Sequence, residues 1–483
     1  MDDAREIIVI ILDTLFLFNI LFGAIIVFFE RREPAVTWAW LMVIAFIPYI
    51  GFLLYLFIGQ DGRKHRIFAR KSRSDRENAE KIAAAGIPSL SGETFGGSED
   101  LGPWAGIGKL CELSGGGALT DGNGARFFNS GEETFDAITA DIASAKTYVH
   151  MLYYIFRGDS LGSRLIDALA AKAREGVEVK LLVDAMGCAR TPKRFFRSLS
   201  DAGGRVEFFL PRHVVRVNYR NHRKICVMDG TVAYVGGLNV GDEYIGLSRR
   251  FGFWRDAHLR LEGPAARELE IRFILDWNFT APAAEAIEPR ERYFPSVPVV
   301  AGSKCQIIAS GPDTRWPGIM HAYCKMIAEA DRNIFIETPY FVPSDIMLTS
   351  LVSAALSGVD TRVIFPSFPD HPFVYWANLS FLGELLEAGV RCYRYRRGFI
   401  HSKLIVIDSA VVSVGTANMD VRSFKLNFEA NAMIYDARIA KQIEAAFFAD
   451  IRDSEEITAE WYANRPKMSK IKESISRLIS PLL

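Results

Sequence analysis

The chain has 483 residues, enough for about three domains, and its 57 Lys and Arg balance 57 Asp and Glu. A formal charge of zero excludes a uniformly basic nucleic-acid binder and an acidic disordered chain. The 49% hydrophobic content is ordinary, so the information lies in where the apolar residues sit.

Much of that content is N-terminal. Residues 7–29 carry a single charge, Asp13, and residues 36–58 carry none. As helices, each would span about 35 Å, enough for a bilayer core. The short polar linker at residues 30–35 completes a predicted transmembrane hairpin. Asp2 and Asp3 precede the first run and no small-residue cleavage site follows it, which argues against a cleaved signal peptide. Arg5 and the six basic residues from Arg63 to Arg73 outnumber Arg31 and Arg32 of the linker, so the bulk of the protein is expected on the cytoplasmic side. The basic stretch is also suited to anionic headgroups, and Asp13 is expected near an interface or facing protein.

Residues 61–124 are basic and then rich in Gly and Ser, and read as a connecting region with little core of its own. From about Ala125, strands and helices alternate. Helical spacing covers Glu132–Ala145, Leu161–Glu175, Pro317–Ala330 and Ile346–Ser357. Val177–Asp184 and Val359–Phe365 have the pattern of buried parallel strands. The fold class is therefore α/β. At the C-terminus, Met468, Ile471, Ile475, Leu478, Ile479 and Leu482 recur at helical spacing with basic residues between them. This suits an amphipathic helix lying among headgroups or packing on the body of the protein. The six cysteines are scattered, with no CxxC pair, and read as reduced, mostly buried thiols. The eight histidines lack HxxxH or HExxH spacing, so neither a metal nor a cofactor is implied.

An internal repeat organises the soluble part. "GVEVKLLVDAMG" from Gly176 parallels "GVDTRVIFPSFP" from Gly358, 182 residues on. "HRKICVMDGTVAYVGGLN" from His222 parallels "HSKLIVIDSAVVSVGTAN" from His401, 179 residues on. Such a period is a duplicated domain rather than a solenoid. The expected organisation is a hairpin at 1–60, the connecting region at 61–124, two similar mixed-sheet lobes at 125–295 and 296–464, and the amphipathic helix at 465–483.

Each repeat holds HxKxxxxD and, after six intervening residues, Gly-[Gly/Thr]-x-Asn. The first set is His222, Lys224, Asp229, Gly236, Gly237 and Asn239. The second is His401, Lys403, Asp408, Gly415, Thr416 and Asn418. Side chains two apart on a strand share a face, so each His and Lys point the same way. Two imidazoles, two ammoniums and two amides in one cavity would suit a phosphoryl group, with one imidazole on each side of phosphorus. Asp229 and Asp408 belong to the motif's candidate catalytic set, yet their odd offset and turn context favour fixing the hairpin or pairing nearby charges. The arginines around the motifs, Arg212, Arg216, Arg220 and Arg223, and Arg391, Arg394, Arg396 and Arg397, could draw anionic headgroups or form a solvated basic face. Tyr153, Tyr154, Tyr340 and Phe341 could wall a lipid entrance, with core packing the plainer reading. The remaining histidines read as structural or surface residues.

The paired motifs resemble those of the phospholipase D superfamily. The N-terminal hairpin, "HMLYYIF", "TPYFVP" and the terminal "SPLL" are similar, more narrowly, to the bacterial cardiolipin synthases within it. That resemblance implies a metal-free double displacement at the bacterial inner membrane. Phosphatidylglycerol would give its phosphatidyl group to a histidine and then to a second phosphatidylglycerol, releasing glycerol and forming cardiolipin. His222 would be nucleophile and His401 acid and base. A hydrolase, or a transferase using another alcohol, would need the same motifs. Anionic membrane lipid, not nucleic acid, is the implied partner, since beyond residue 60 the 54 basic and 51 acidic residues leave only +3. An oligomer is compatible with the sequence. The resemblance also points to acidic residues that orient the imidazoles, within a lobe or across the two, with Asp256 and Glu429 the candidates. In the sequence alignment they do not share a column: Asp256 falls opposite Asn431, and Glu429 opposite Trp254.

Overall fold

The computed structural model describes residues 34–47, 62–84, 98–114, 117–210, 219–296 and 302–480, with single positions between 6 and 23 and at 51 and 55. The predicted spans therefore fall largely outside the described residues, as do Arg212, Arg216, His213 and Leu482. Among the described residues, no helix is long and apolar enough to cross a membrane. The apolar helix Pro34–Phe46 has 13 residues.

The first half of the soluble part contributes strands β1 (Thr120–Ser130), β2 (Tyr148–Tyr153), β3 (Glu178–Asp184), β4 (Arg205–Phe209), β5 (Arg220–Asn221), β6 (Lys224–Met228), β7 (Val232–Gly236) and β8 (Phe253–Glu262). The second half contributes β9 (Ser303–Ser310), β10 (Asn333–Glu337), β11 (Asp360–Pro366), β12 (Arg391–Tyr395), β13 (Gly398–Ile400), β14 (Leu404–Ile407), β15 (Val411–Gly415), β16 (Asn427–Tyr435) and β17 (Ser454–Ile457). Pairing in the first sheet runs β1–β8–β7–β6–β2–β3–β4. In the second it runs β9–β16–β15–β14–β10–β11–β12–β17. The two orders match strand for strand, with β17 added. The β2–β3–β4 and β10–β11–β12 runs are parallel, because helices Ser160–Arg174 and Asp345–Leu356 each supply a crossover.

Among the described residues, three strand pairings join the halves. β1 meets β9 antiparallel. β5 runs parallel to the start of β16, and β13 parallel to the start of β8. The apolar content follows this layout. One core lies outside each sheet, and a third is shared, where Ile225, Val227 and Val235 meet Val406, Val412 and Val414. Truncating a fully buried Ile or Leu there to Ala would cost about 2–5 kcal/mol. Helix Pro264–Thr280 is buried along most of its length against both halves, and Trp277 is fully enclosed.

The connecting region is more deeply engaged than its composition suggests. Helix Gly62–Ala84 buries Phe68, Lys71 and Ile82 in the body of the protein. Lys71 Nζ meets Asp75 at 2.6 Å, Asp313 at 3.0 Å and Asp276 at 3.2 Å. Burial opposes its charge, but these three carboxylates outweigh that and hold its pKa above the usual lysine range. The expectation of little core there is corrected for this helix. The six cysteines form no disulfide with one another, and five of them are buried.

Candidate active site

Each motif enters its half through a strand that pairs with the other half. β5 leads into His222, whose backbone N–H donates to the Phe428 carbonyl at 3.0 Å. β13 leads into His401, whose N–H donates to the Arg255 carbonyl at 2.7 Å. The residues after Phe428 and Arg255 are Glu429 and Asp256. The pairings therefore bring each histidine beside a carboxylate from the opposite half. His222 Nδ1 contacts Glu429 Oε1 and Oε2 at 2.9 and 3.0 Å, and His401 Nδ1 contacts Asp256 Oδ2 at 2.8 Å.

This geometry also corrects the alignment. Gly236 pairs with His258, and its repeat partner Gly415 pairs with Asn431. Two residues earlier on each strand stand Asp256 and Glu429, so they are equivalent. The mismatch arose because the loop after the first Gly-x-Asn is six residues longer.

Both histidines line one cavity of about 800 Å³ with Asn239 and Asn418, a size in the usual range for a ligand site. Tyr154 and Tyr340, equivalent in the repeat, stand edge-on to His222 and His401 at 4.9 and 6.4 Å between ring centroids. Tyr153 and Phe341, by contrast, are core residues. Asn239 Oδ1 accepts from the Ile155 N–H at 3.1 Å, and its amide donates to the Tyr244 hydroxyl at 3.2 Å. The Asn418 amide donates to Asp420 at 3.4 Å.

The lysines sit beneath their histidines. Lys224 Nζ donates to the His222 carbonyl at 2.6 Å, and Lys403 Nζ to the His401 carbonyl at 2.5 Å. Lys403 Nζ also lies 2.8 Å from His401 Nδ1 and 3.2 Å from Nε2. Burial lowers both ammonium pKa values, that of Lys403 to about 8. Burial also lowers both imidazoles to about 4, helped by the lysines and opposed by the carboxylates. For Glu429 and Asp256 burial raises the pKa. The neighbouring His and Lys outweigh it and hold both below the usual carboxylate range. At neutral pH each imidazole is thus uncharged, with the proton on Nδ1 directed at a carboxylate; the Nε2 lone pair of His222 is left available, while that of His401 faces Lys403 Nζ.

The other motif residues stand behind this layer. Asp229 accepts from the backbone N–H groups of Lys146, Thr147 and Tyr148 at 2.7–2.9 Å. Asp408 accepts from those of Asp331, Arg332 and Asn333 at 2.7–3.0 Å. Both have φ of 52°, in the left-handed region that hairpin turns use. Neither lines the cavity, so as candidate catalytic residues they are corrected to clamps of the motif hairpin. Gly236, Gly237, Gly415 and Thr416 do not line it either, and act as support rather than phosphate contacts. A Cβ at Gly237 would come within 1.9 Å of Asp256 Oδ1, whereas Thr416 Oγ1 donates to Glu429 Oε2 at 2.5 Å.

The arginines divide differently from the sequence expectation. Arg391, Arg394, Arg396 and Arg397 pair with acidic residues at positions 453–456, away from the cavity. Arg223 is buried against Asp276 at 2.5 Å, with Nε donating to the Glu429 carbonyl at 3.1 Å. Arg255 does the equivalent work behind Asp256, donating to its carbonyl and pairing with Asp450 at 2.7 Å. Among the described residues, the guanidinium groups at the cavity itself belong to Arg157, Arg190, Arg220, Arg250 and Arg422. Of these only Arg220 was a candidate from sequence. The others sit outside the repeat motifs, and no spacing signals them. His371, read as structural or surface, also lines the cavity.

Comparison with known proteins fits this two-motif cavity. The family model described as "Cardiolipin synthase, PLD-like domain" matches residues 138–251 and 323–451, once in each half. The chain belongs to this family. A second model, "Phospholipase_D-nuclease N-terminal", matches residues 11–60. A cardiolipin synthase of Listeria welshimeri is 44% identical over 98% of this chain and 99% of its own length. The major cardiolipin synthase ClsA of Bacillus subtilis is 43% identical over 98% and 99%. Among solved structures, the phosphatidylserine synthase of Haemophilus influenzae superposes with a TM-score of 0.59 at 15% identity. It covers 74% of this chain and 95% of its own, and shares the fold.

Proposed function

We propose that the protein is a cardiolipin synthase that transfers a phosphatidyl group between two phosphatidylglycerol molecules. The observation that carries this is the single cavity bounded by two histidines, each held by a carboxylate of the opposite half. Five arginines around it suit anionic headgroups.

His222 Nε2 attacks phosphorus as the bond to the glycerol oxygen breaks, and His401 gives that oxygen a proton. The arriving phosphodiester anion raises the imidazole and ammonium pKa values, which favours the proton on His401 and the charge on both lysines. In the second half-reaction His401 takes the proton from a hydroxyl of the next phosphatidylglycerol. That oxygen displaces His222, giving cardiolipin and the free imidazole. The assignment of His222 as nucleophile is supported by its Nε2, which has no protein partner among the described residues, whereas that of His401 lies 3.2 Å from Lys403 Nζ. Glu429 and Asp256 fix the tautomers and steady each imidazolium.

The same reading places the protein at the bacterial inner membrane, held by two spans near residues 7–29 and 36–58, with the cavity on the cytoplasmic side. Exposed Phe16, Leu17, Phe18, Trp38, Met42 and Phe46 support lipid-facing surfaces there. The test is incubation of the purified protein with labelled phosphatidylglycerol. Cardiolipin and glycerol are expected; phosphatidic acid would identify a hydrolase and overturn the synthase reading.

A further inference from the structure

The C-terminal helix Lys467–Ile479 is inverted. Met468, Ile471, Ile475 and Leu478 form one stripe at helical spacing, and all four are exposed, by 51–75%. The opposite face, carrying Glu473, Ser476 and the following Ser480, is buried against the protein. A helix resting on a water-facing surface turns its apolar stripe inward; this one does the reverse. The orientation is pinned by specific contacts. Arg465 forks onto Glu473 at 2.7 and 2.8 Å, and Arg477 pairs with Glu384 at 2.8 Å while donating to the Ser380 carbonyl at 3.1 Å.

The stripe also stands at the cavity. The helix packs on Pro372–Ser380, whose first turn exposes Phe373 by 57%. His371 and Val374 from that turn, and Ser480 from the end of the inverted helix, line the cavity that holds the two histidines. Exposed Lys467, Lys470 and Lys472 flank the apolar side chains.

We propose that this stripe inserts among the acyl chains of an anionic bilayer and holds the cavity mouth against the lipid surface. A phosphatidyl headgroup then reaches the histidines while its chains stay in the membrane. The basic residues select this occupant. They face anionic headgroups favourably, whereas a second copy of the helix would set like charges against one another. The proposal rests on the reading that the substrate is a lipid.

Two measurements on the full chain in phosphatidylglycerol vesicles test it. In a Cys324→Ser background, Leu478→Cys carrying an environment-sensitive fluorophore should be quenched by spin labels on the acyl chains. Absence of quenching overturns the proposal. The double variant Ile471→Glu/Leu478→Glu should lose about tenfold in turnover of long-chain phosphatidylglycerol in vesicles, with turnover of monomeric dihexanoyl phosphatidylglycerol unchanged. Unchanged vesicle turnover, or an equal loss on both substrates, overturns it, as does conversion of a detergent-solubilised dimer to monomer. Quenching in a protein that transfers neither substrate would support insertion and refute the functional reading instead.

Discussion

The two imidazole–carboxylate pairs reach the same arrangement with different parts. His222 meets both oxygens of a glutamate, which also accepts from Thr416 at 2.5 Å and Asn427 at 3.2 Å. His401 meets one oxygen of an aspartate, whose other oxygen accepts from the Ala257 N–H at 2.8 Å and presses on Gly237. One methylene more on the acid is matched by a threonine, and one less by a glycine. The buried guanidinium behind each pair shifts as well. It comes from the residue after the histidine in one case, Arg223, and from the residue before the acid in the other, Arg255. Duplication has preserved strand order and hydrogen-bond direction, while the side chains have been chosen anew in each copy.

The largest expected effect breaks the comparison at its centre. His222→Ala and His401→Ala should each lower turnover by about 10⁴-fold or more. With a p-nitrophenyl phosphodiester, whose departing group needs no proton, the His401→Ala protein should still accumulate a phosphatidyl adduct on His222, read by mass spectrometry of rapidly quenched peptides. An adduct on residue 401 in the His222→Ala protein would reverse the roles. Next in size, Glu429→Gln and Asp256→Asn should each cost roughly a thousandfold in kcat with little change in KM. A loss confined to one of them in steady-state kinetics would show that the two acids are not equal in function.

Acidity sharpens the contrast between the lysines. With the p-nitrophenyl phosphodiester, which asks no proton of His401, kcat/KM should fall as pH rises past about 8, where the Lys403 charge is lost. On the acid side it should fall as pH drops toward about 4, where His222 gains a proton and loses its nucleophilic lone pair. Lys403→Arg should carry the alkaline fall upward; a pH–rate profile unchanged by that substitution would remove Lys403 from the explanation. The smallest effect on chemistry belongs to Asp229→Asn and Asp408→Asn. Each weakens a clamp on three backbone N–H groups, so thermal unfolding should show a loss of about 1–3 kcal/mol. The kcat of the folded protein should stay near that of the parent, to the same degree in both halves.

The duplicated motifs made His222, Lys224, His401 and Lys403 legible because short strands convert sequence parity directly into facing side chains. The turn position of Asp229 and Asp408 was legible for the same reason. The equivalence of Asp256 and Glu429 was hidden by a loop-length difference that only strand register removes. Helix Gly62–Ala84 read as a solvated connection, since nothing local announces that Lys71 is neutralised by Asp276 and Asp313, more than 200 residues away. The periodicity of Met468 to Leu478 was plain, but which side of a helix faces outward is decided by contacts such as Arg465 with Glu473 and Arg477 with Glu384.

The crossing of the two pairs has a consequence for how the protein is made. The acid of His401 lies upstream of it, so Asp256 has already been synthesised when residue 401 appears. His222, synthesised far earlier, gains its acid only when residue 429 emerges, and β5 gains its partner strand just before that. A nascent chain stopped anywhere before that point carries a histidine with no tautomer fixed. The His222–Glu429 pair is therefore the later of the two to close in the order of synthesis.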